Sequence, residues 1–214
     1  MHYYLIHALD YSRKYFMENQ FQQFGITNVK WINYPNKSDD LPDVCSSNLP
    51  KGMISCTYKH YLALKDIVEN GYDYAVIMED NIEFRGNVPE ALSRYLKDLP
   101  SDWDCVFDSD YYKFKYIESD TTNVSVYKKS NNITAQCNGS SKGAHFIFLN
   151  QKAAKKLYDN FLPFSNSSDH HYNELFRKLD MIVYWAEEPN VHKINRPSSW
   201  KRDVKIPKKF SWLK

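Results

Sequence analysis

Tyr74-Ala-Val-Ile-Met-Glu-Asp-Asn-Ile-Glu-Phe84 is the stretch on which both fold and chemistry turn. Tyr74 to Met78 is a short β-branched and apolar run, the pattern of a strand buried on both faces of a parallel sheet. Three oxygen-bearing side chains, Glu79, Asp80 and Asn81, follow where such a strand ends. Open α/β sheets bind ligands outside the carboxyl ends of their strands. Acidic oxygens there suit a hard divalent cation, and a cation suits a diphosphate. The competing reading is a polar turn that closes a strand.

Working outward, Tyr3 to Leu9 reads as a first strand and Tyr11 to Phe24 as a helix stopped by Gly25. Val29 to Asn33 is a second strand. Tyr34 to Pro50, with Pro35, Pro42 and Pro50, is a long loop. Met53 to Asn70 repeats apolar residues at helical spacing and ends at Gly71. Asn87 caps a helix whose first position is Pro89. Trp103 to Phe107 is a strand, and Ser109 to Asn138 is polar, tyrosine-rich and without an assigned element. Ala144 to Leu149 is a strand, Asn150 caps a helix reaching Phe161, and Ser165 to Ser168 is a loop. Asp169 to Leu179 is a helix, with strands at Ile182 to Trp185 and Val191 to Ile194. Alternating strands and helices predict a wound α/β sheet: one domain over residues 1–200, followed by a basic tail, 201–214, that frays.

The chain has 214 residues, enough for a sizeable core, and 28 basic against 26 acidic residues give a net charge of +2, which carries no nucleic-acid footprint. Aromatics reach 16%, led by 17 tyrosines, which suits stacking on sugars or a base, although the Lys/Asn/Tyr/Ile bias of an AT-rich genome gives the same count. No segment approaches a membrane span, and residues 1–9 lack the basic region of a signal peptide, so the expectation is a cytoplasmic protein. Cys45, Cys56, Cys105 and Cys137 lack CxxC or paired-histidine spacing and read as free thiols rather than zinc ligands. Sequons at Asn36, Asn123, Asn132, Asn138 and Asn166 matter only in a secretory lumen. Six glycines and no Walker or GxGxxG pattern exclude glycine-loop nucleotide binding.

Five blocks, in order, resemble glycosyltransferase family 25, which includes lipopolysaccharide β-galactosyltransferases and collagen galactosyltransferases. They are Tyr3-Tyr-Leu-Ile-His-Ala-Leu-Asp-Tyr-Ser-Arg-Lys, Gly52-Met-Ile-Ser-Cys-Thr-Tyr-Lys-His-Tyr-Leu-Ala-Leu beside "GxxGCxxSH", and Val76-Ile-Met-Glu-Asp-Asn beside "LEDD". Leu99-Pro-Ser-Asp-Trp-Asp is similar to "LPxDWD", and Gly143-Ala-His-Phe-Ile-Phe-Leu-Asn-Gln-Lys-Ala-Ala-Lys-Lys-Leu to "GxxGYxISxxGAxKLL". Together they span most of residues 3–160. The chain departs at Asn81, where the family has an acid, and at Ser55 and Lys59, where it has glycine and serine. Asn81 still offers a carbonyl oxygen but one charge fewer.

The resemblance implies a GT-A-like (Rossmann-like) fold with a mixed central sheet flanked by helices. It also implies metal-dependent, inverting transfer of galactose, glucose or N-acetylglucosamine from a UDP-sugar to a hydroxyl of a glycan or collagen-like protein. Mn²⁺ or Mg²⁺ would neutralise the leaving diphosphate, and a base would take the acceptor's proton. Asp80 is the expected metal ligand, with Asn81 and Glu79 beside it. Adjacent strand residues point to opposite faces, so Glu79 can instead bind ribose or brace the loop. His192 resembles a late metal-site histidine, against the plain structural reading of a lone histidine. Asp108 and Asp110, after the strand ending at Phe107, are a second acidic pair for metal or acceptor, or a solvated turn.

Asp169 is the expected general base, against an ordinary helix N-cap; His170, His171, Glu174, Glu187 and Glu188 are substitutes. Arg13 and His60 are expected near the nucleotide, against an exposed helix arginine and a core histidine. The basic tail, Lys201, Arg202, Lys205, Lys208 and Lys209, faces an acidic acceptor, a membrane surface or solvent. The implied partners are a nucleotide-sugar donor and a glycan or protein acceptor, with no nucleic acid and no transmembrane segment; a homodimer is left open. Two other readings remain: a catalytically degenerate nucleotide-sugar-binding protein, and a carboxylate-metal hydrolase or phosphotransferase using Glu79, Asp80, Asp108 and Asp110.

Overall fold

The computed structural model describes residues 1–108, 125–128, 143–186 and 188–194. Its central sheet contains β1 (His2–Ile6), β2 (Val29–Ile32), β3 (Tyr74–Glu79), β5 (Cys105–Phe107), β6 (Val126–Lys128), β7 (Phe146–Asn150) and β8 (Val183–Ala186). The seven strands lie in the order β2-β1-β3-β7-β5-β8-β6. β2, β1, β3, β5 and β8 run parallel, whereas β7 and β6 run against them. The sheet is therefore mixed, and β3, β1 and β5 end at one edge.

Side-chain alternation divides the core into two layers. Tyr4, Ile6, Ala75, Ile77, Ile147 and Leu149 pack against α2 (Lys51–Asn70), α4 (Gln151–Asn160) and α5 (Ser168–Lys178). Tyr3, Leu5, Val76, Met78, Phe146 and Phe148 face the other way, onto α1 (Tyr11–Gln23) and α3 (Val88–Asp98). Strands buried on both faces have no polar face to show, which is why Ala75 to Met78 reads as an unbroken apolar run. Each helix end has a local cause. Asp10 accepts from Ser12 N (2.9 Å) and Arg13 N (3.2 Å), and Asn150 accepts from Ala153 N (2.8 Å). Gly71 closes α2 in the left-handed region, φ 66 and ψ 33, where a side chain would be strained.

Three elements differ from expectation. The helix after Asn87 begins at Val88, one residue earlier than Pro89. β6 lies within the stretch that had no assigned element. A short strand, β4 (Ile82–Phe84), pairs antiparallel with β9 (Val191–Lys193). Three residues are too few to carry a period, so β4 depends on a partner more than one hundred residues away rather than on its own pattern.

At this small sheet Gly86 lies against the side chain of Asn190, and a Cβ at Gly86 would collide with Asn190 Oδ1. Asn190 cannot easily yield, because its Nδ2 donates to Tyr95 Oη at 2.9 Å. Gly86→Ala is expected to lower stability by about 1–3 kcal/mol, read as a shifted urea midpoint with unchanged m-value.

Candidate functional site

The site begins where β1 and β3 end side by side, with Ile6 in register with Glu79. Alternation sends Glu79 and Asp80 to opposite faces of the sheet, Asp80 towards α1 and Glu79 towards α2. Asp80 is buried, and its Oδ1 accepts from Arg13 Nη1 at 2.6 Å. Its Oδ2 lies 2.8 Å from His7 Nδ1 and accepts from Ala8 N at 3.1 Å. The turn from β1 to α1, with Leu9 at φ 55 and the Asp10 cap, delivers Arg13 to this carboxylate. Arg13 is accordingly a buried partner of Asp80, 4% exposed, and not a surface helix arginine.

On the other face Glu79 meets α2. Its Oε1 lies 3.5 Å from His60 Nε2 and 3.9 Å from Cys56 Sγ. Burial pushes the Glu79 carboxyl up, but His145 and His60, with Lys193, outweigh it and hold it down at about 2. Burial, with Glu79 beside it, pushes the Cys56 thiol well up. Tyr172 Oη lies 3.4 Å from His60 Nδ1 and orients the ring. One position before His60, Lys59 is 2% exposed and donates to His7 O at 2.7 Å and Asn36 Oδ1 at 3.0 Å. Burial pulls its ammonium down to about 8. Asn36, one of the sequons, is thus 9% exposed and holds a lysine.

These residues open on a cavity of about 660 Å³, within the range of small-molecule sites. Its wall includes His7, Arg13, Lys59, Glu79, Asp80, Asn81, His145, Asp169 and Lys193. Among the described residues four side-chain cations, Arg13, Lys37, Lys59 and Lys193, face three carboxylates, Glu79, Asp80 and Asp169. Asp169 sits in the first turn of α5, where its Oδ2 accepts from Gly143 N at 3.1 Å. Its Oδ1 accepts from Ser167 Oγ at 2.6 Å and His170 N at 2.9 Å. Those three donors leave one carboxylate lone-pair direction for another group.

Other expected residues lie elsewhere. Asp108 is buried on the α3 side, where it accepts from Tyr95 Oη (2.8 Å) and from Asn190 N (2.6 Å). Burial raises its carboxyl to about 6, against those hydrogen bonds. It is a bracket between α3 and the turn before β9, not part of the cavity wall. His192 stands opposite Glu83 in the β4–β9 ladder, and it is Lys193 and Ile194 that reach the cavity. Alternation along β9 explains the exchange. His171 is buried against Phe161, with Nε2 2.8 Å from Phe161 O, and His170, Glu174 and Glu188 are exposed. Asp110, Glu187 and the tail fall outside the described residues.

A hard cation such as Mn²⁺ or Mg²⁺ needs several free oxygens at one point. Asp80 has spent three lone-pair directions on Arg13, His7 and Ala8, Asp108 faces away, and Asn81 brings a neutral Oδ1 that is buried without a hydrogen-bond partner. Of the expected set, Asp80 and Asn81 border the cavity, His192 and Asp108 do not, and Asp110 lies outside the described residues, so the described members do not converge on one ion. Among the described residues the group with metal-ligand spacing is Cys56, His60 and Glu79, whose ligand atoms lie within 4.8 Å of one another. Sulfur and imidazole donors are the chemistry of zinc rather than manganese. The helical Cys56-x-x-x-His60 spacing is the signal that a search for CxxC passes over.

A model of glycosyltransferase family 25 (LPS biosynthesis protein) matches residues 1–172. The chain belongs to glycosyltransferase family 25. A search of curated protein sequences found no match. Among solved structures, the chain is similar to a glycosyltransferase involved in glycosylation of the major capsid of PBCV-1. The TM-score is 0.50 at 6% identity, covering 91% of this chain and 94% of that one. Drosophila β-1,4-galactosyltransferase 7, in complex with manganese, UDP-Gal and xylobiose, aligns with TM-score 0.46 at 8% identity, covering 97% and 76%. Mouse xyloside xylosyltransferase 1 aligns with TM-score 0.42 at 7% identity, covering 96% and 99%. The fold of this family 25 glycosyltransferase is GT-A-like, a mixed sheet between helical layers, as the sequence implied. No helix among the described residues is long and apolar enough to cross a membrane.

Removing one member of a buried ion pair leaves its partner's charge uncompensated, which typically costs about 3–5 kcal/mol. Arg13→Met is expected to lose stability of that order in urea unfolding, since it leaves Asp80 only His7 and the Ala8 amide as direct partners. Asp108 gives a pH signature: its folded carboxyl holds a proton to about 6 rather than 3.8. It therefore adds stability below about pH 4 that is lost as pH rises through about 6, a change on the order of 2–3 kcal/mol. Asp108→Asn is expected to flatten that part of the stability–pH curve.

Proposed function

We propose that this cavity takes a UDP-sugar and transfers its hexose, with inversion, to a hydroxyl of a glycan or collagen-like protein. The observation that carries the reading is the shared cavity. Cationic groups at the carboxyl ends of β1 and β3 and a carboxylate with a lone-pair direction to spare, Asp169, open onto the same 660 Å³ space. Family membership and the sheet-end position of the site support a donor bound where open α/β sheets hold ligands.

In this reading the acceptor oxygen attacks the anomeric carbon while the bond to the diphosphate oxygen breaks, and UDP leaves. The acceptor's proton passes to Asp169. Ser167 Oγ, Gly143 N and His170 N hold that carboxylate in place, so it can receive the proton without reorienting. His7 and Arg13 act through Asp80 by fixing the loop that floors the cavity. Glu79 is placed by His60 as a hydrogen-bond acceptor for donor hydroxyls. A carboxylate-metal hydrolase would need Glu79, Asp80 and Asp108 to meet at one ion, whereas Glu79 turns to His60 on α2, Asp80 to Arg13 on α1 and Asp108 to Tyr95 on α3.

Binding and chemistry separate on Asp169. In calorimetry Asp169→Asn is expected to bind UDP within about threefold of the parent chain. Its sugar transfer is expected to fall by about 10²–10⁴, the usual share of a general base. Transfer at the parent rate would remove Asp169 from the role.

A further inference from the structure

We propose that the chain holds the donor's diphosphate with Lys59 and Lys193 and needs no divalent cation to do so. This deepens the UDP-sugar reading and rests on it.

Lys59 carries the argument. It lies in the middle of α2, 2% exposed, yet it borders the cavity. Its two hydrogen-bond acceptors, His7 O and Asn36 Oδ1, are both neutral, and it belongs to none of the described ion pairs. Burying an ammonium is costly, and the carboxylates whose charge acts on it, Asp80 and Asp39, form none of the described ion pairs with it. An ammonium has three N–H donors, so one remains for a ligand. A phosphate oxygen in the cavity would supply a direct charged contact and an acceptor for that donor at once.

Lys193 adds a second cation from a different element. Alternation along β9 brings it to the cavity wall, which it shares with Glu79 and His145. A divalent cation would have to displace this arrangement. Asp80 is engaged by Arg13, His7 and the Ala8 amide, which leaves it a single lone-pair direction, and Asn81, buried and unpartnered at Oδ1, offers no charge. The two departures from the family's motifs tell the same story. Asparagine for an acid at position 81 and lysine for serine at position 59 together add two positive charges to one cavity, the charge a divalent cation would bring.

The test is calorimetry of UDP with the full chain, in EDTA and again with Mn²⁺ or Zn²⁺. The expected result is binding in EDTA that added metal changes by less than about threefold. Lys59→Met and Lys193→Met are each expected to weaken it by roughly tenfold or more, since each removes a charged contact to phosphate. Lys59→Arg, which keeps the charge, is expected to recover part of the loss. Thermal melts show whether each variant is folded, and Lys193→Met, on a surface strand, carries the test should Lys59→Met not fold. UDP binding seen only with metal, or equal affinity in parent and folded methionine variants, overturns the inference and leaves the UDP reading standing. Absence of UDP binding with and without metal overturns both.

Discussion

The carboxylate of Asp80 is the constraint on which the site depends. A buried charge at a strand end must be compensated, and here the compensation comes from α1 through Arg13 and from the end of β1 through His7 and the Ala8 amide. Those contacts fasten two parallel strands and the first helix at one point. They also determine what Asp80 can do. A carboxylate that accepts from a guanidinium, an imidazole and a backbone amide braces the cavity floor and keeps a single lone-pair direction, with its charge offset by the guanidinium.

Alternation then distributes the neighbouring residues. Glu79, one step earlier on β3, turns to α2 and finds His60 and Cys56. Asp108 follows β5, a parallel strand separated from β3 by β7, at the same edge of the sheet, but it turns to α3 and bonds Tyr95 and Asn190. On β9 the same rule brings Lys193 to the cavity and leaves His192 opposite Glu83. Acidic residues that lie close in sequence or along the sheet edge thus end in separate environments. Asp108 braces α3 away from the cavity, while Asp80 and Glu79 both reach its wall in different company.

What faces the cavity is consequently richer in cations than a carboxylate-metal site would be. Lys59, hydrogen-bonded to two neutral oxygens, gives the wall a positive charge, and Asp169 stands in the same wall as an oriented acceptor of protons. Such a pairing suits a reaction in which an anion departs and a proton is taken up. Both groups owe their positions to long elements: the 20-residue α2 carries Lys59 into the interior, and the start of α5 presents Asp169. Local flexibility of either side chain is limited by the hydrogen bonds that hold it.

The sequence by itself determined the order of the helices and longer strands, the buried run Ala75 to Met78, the caps at Asn87 and Asn150, the stop at Gly71, and the strand end that carries Glu79, Asp80 and Asn81. Those features rest on period, capping and turn chemistry, which act over a few residues. Only the tertiary structure decided that Arg13 belongs to Asp80, that Asp108 belongs to Tyr95, that Lys193 replaces His192 at the cavity, and that Lys59 is buried there. It also paired β4 with β9 and brought Cys56, His60 and Glu79 together. Each of these is a choice of partner across 13 to more than 100 residues of chain. The cost of leaving a buried charge or polar group unpaired makes that choice, and no local pattern records which distant group will answer it.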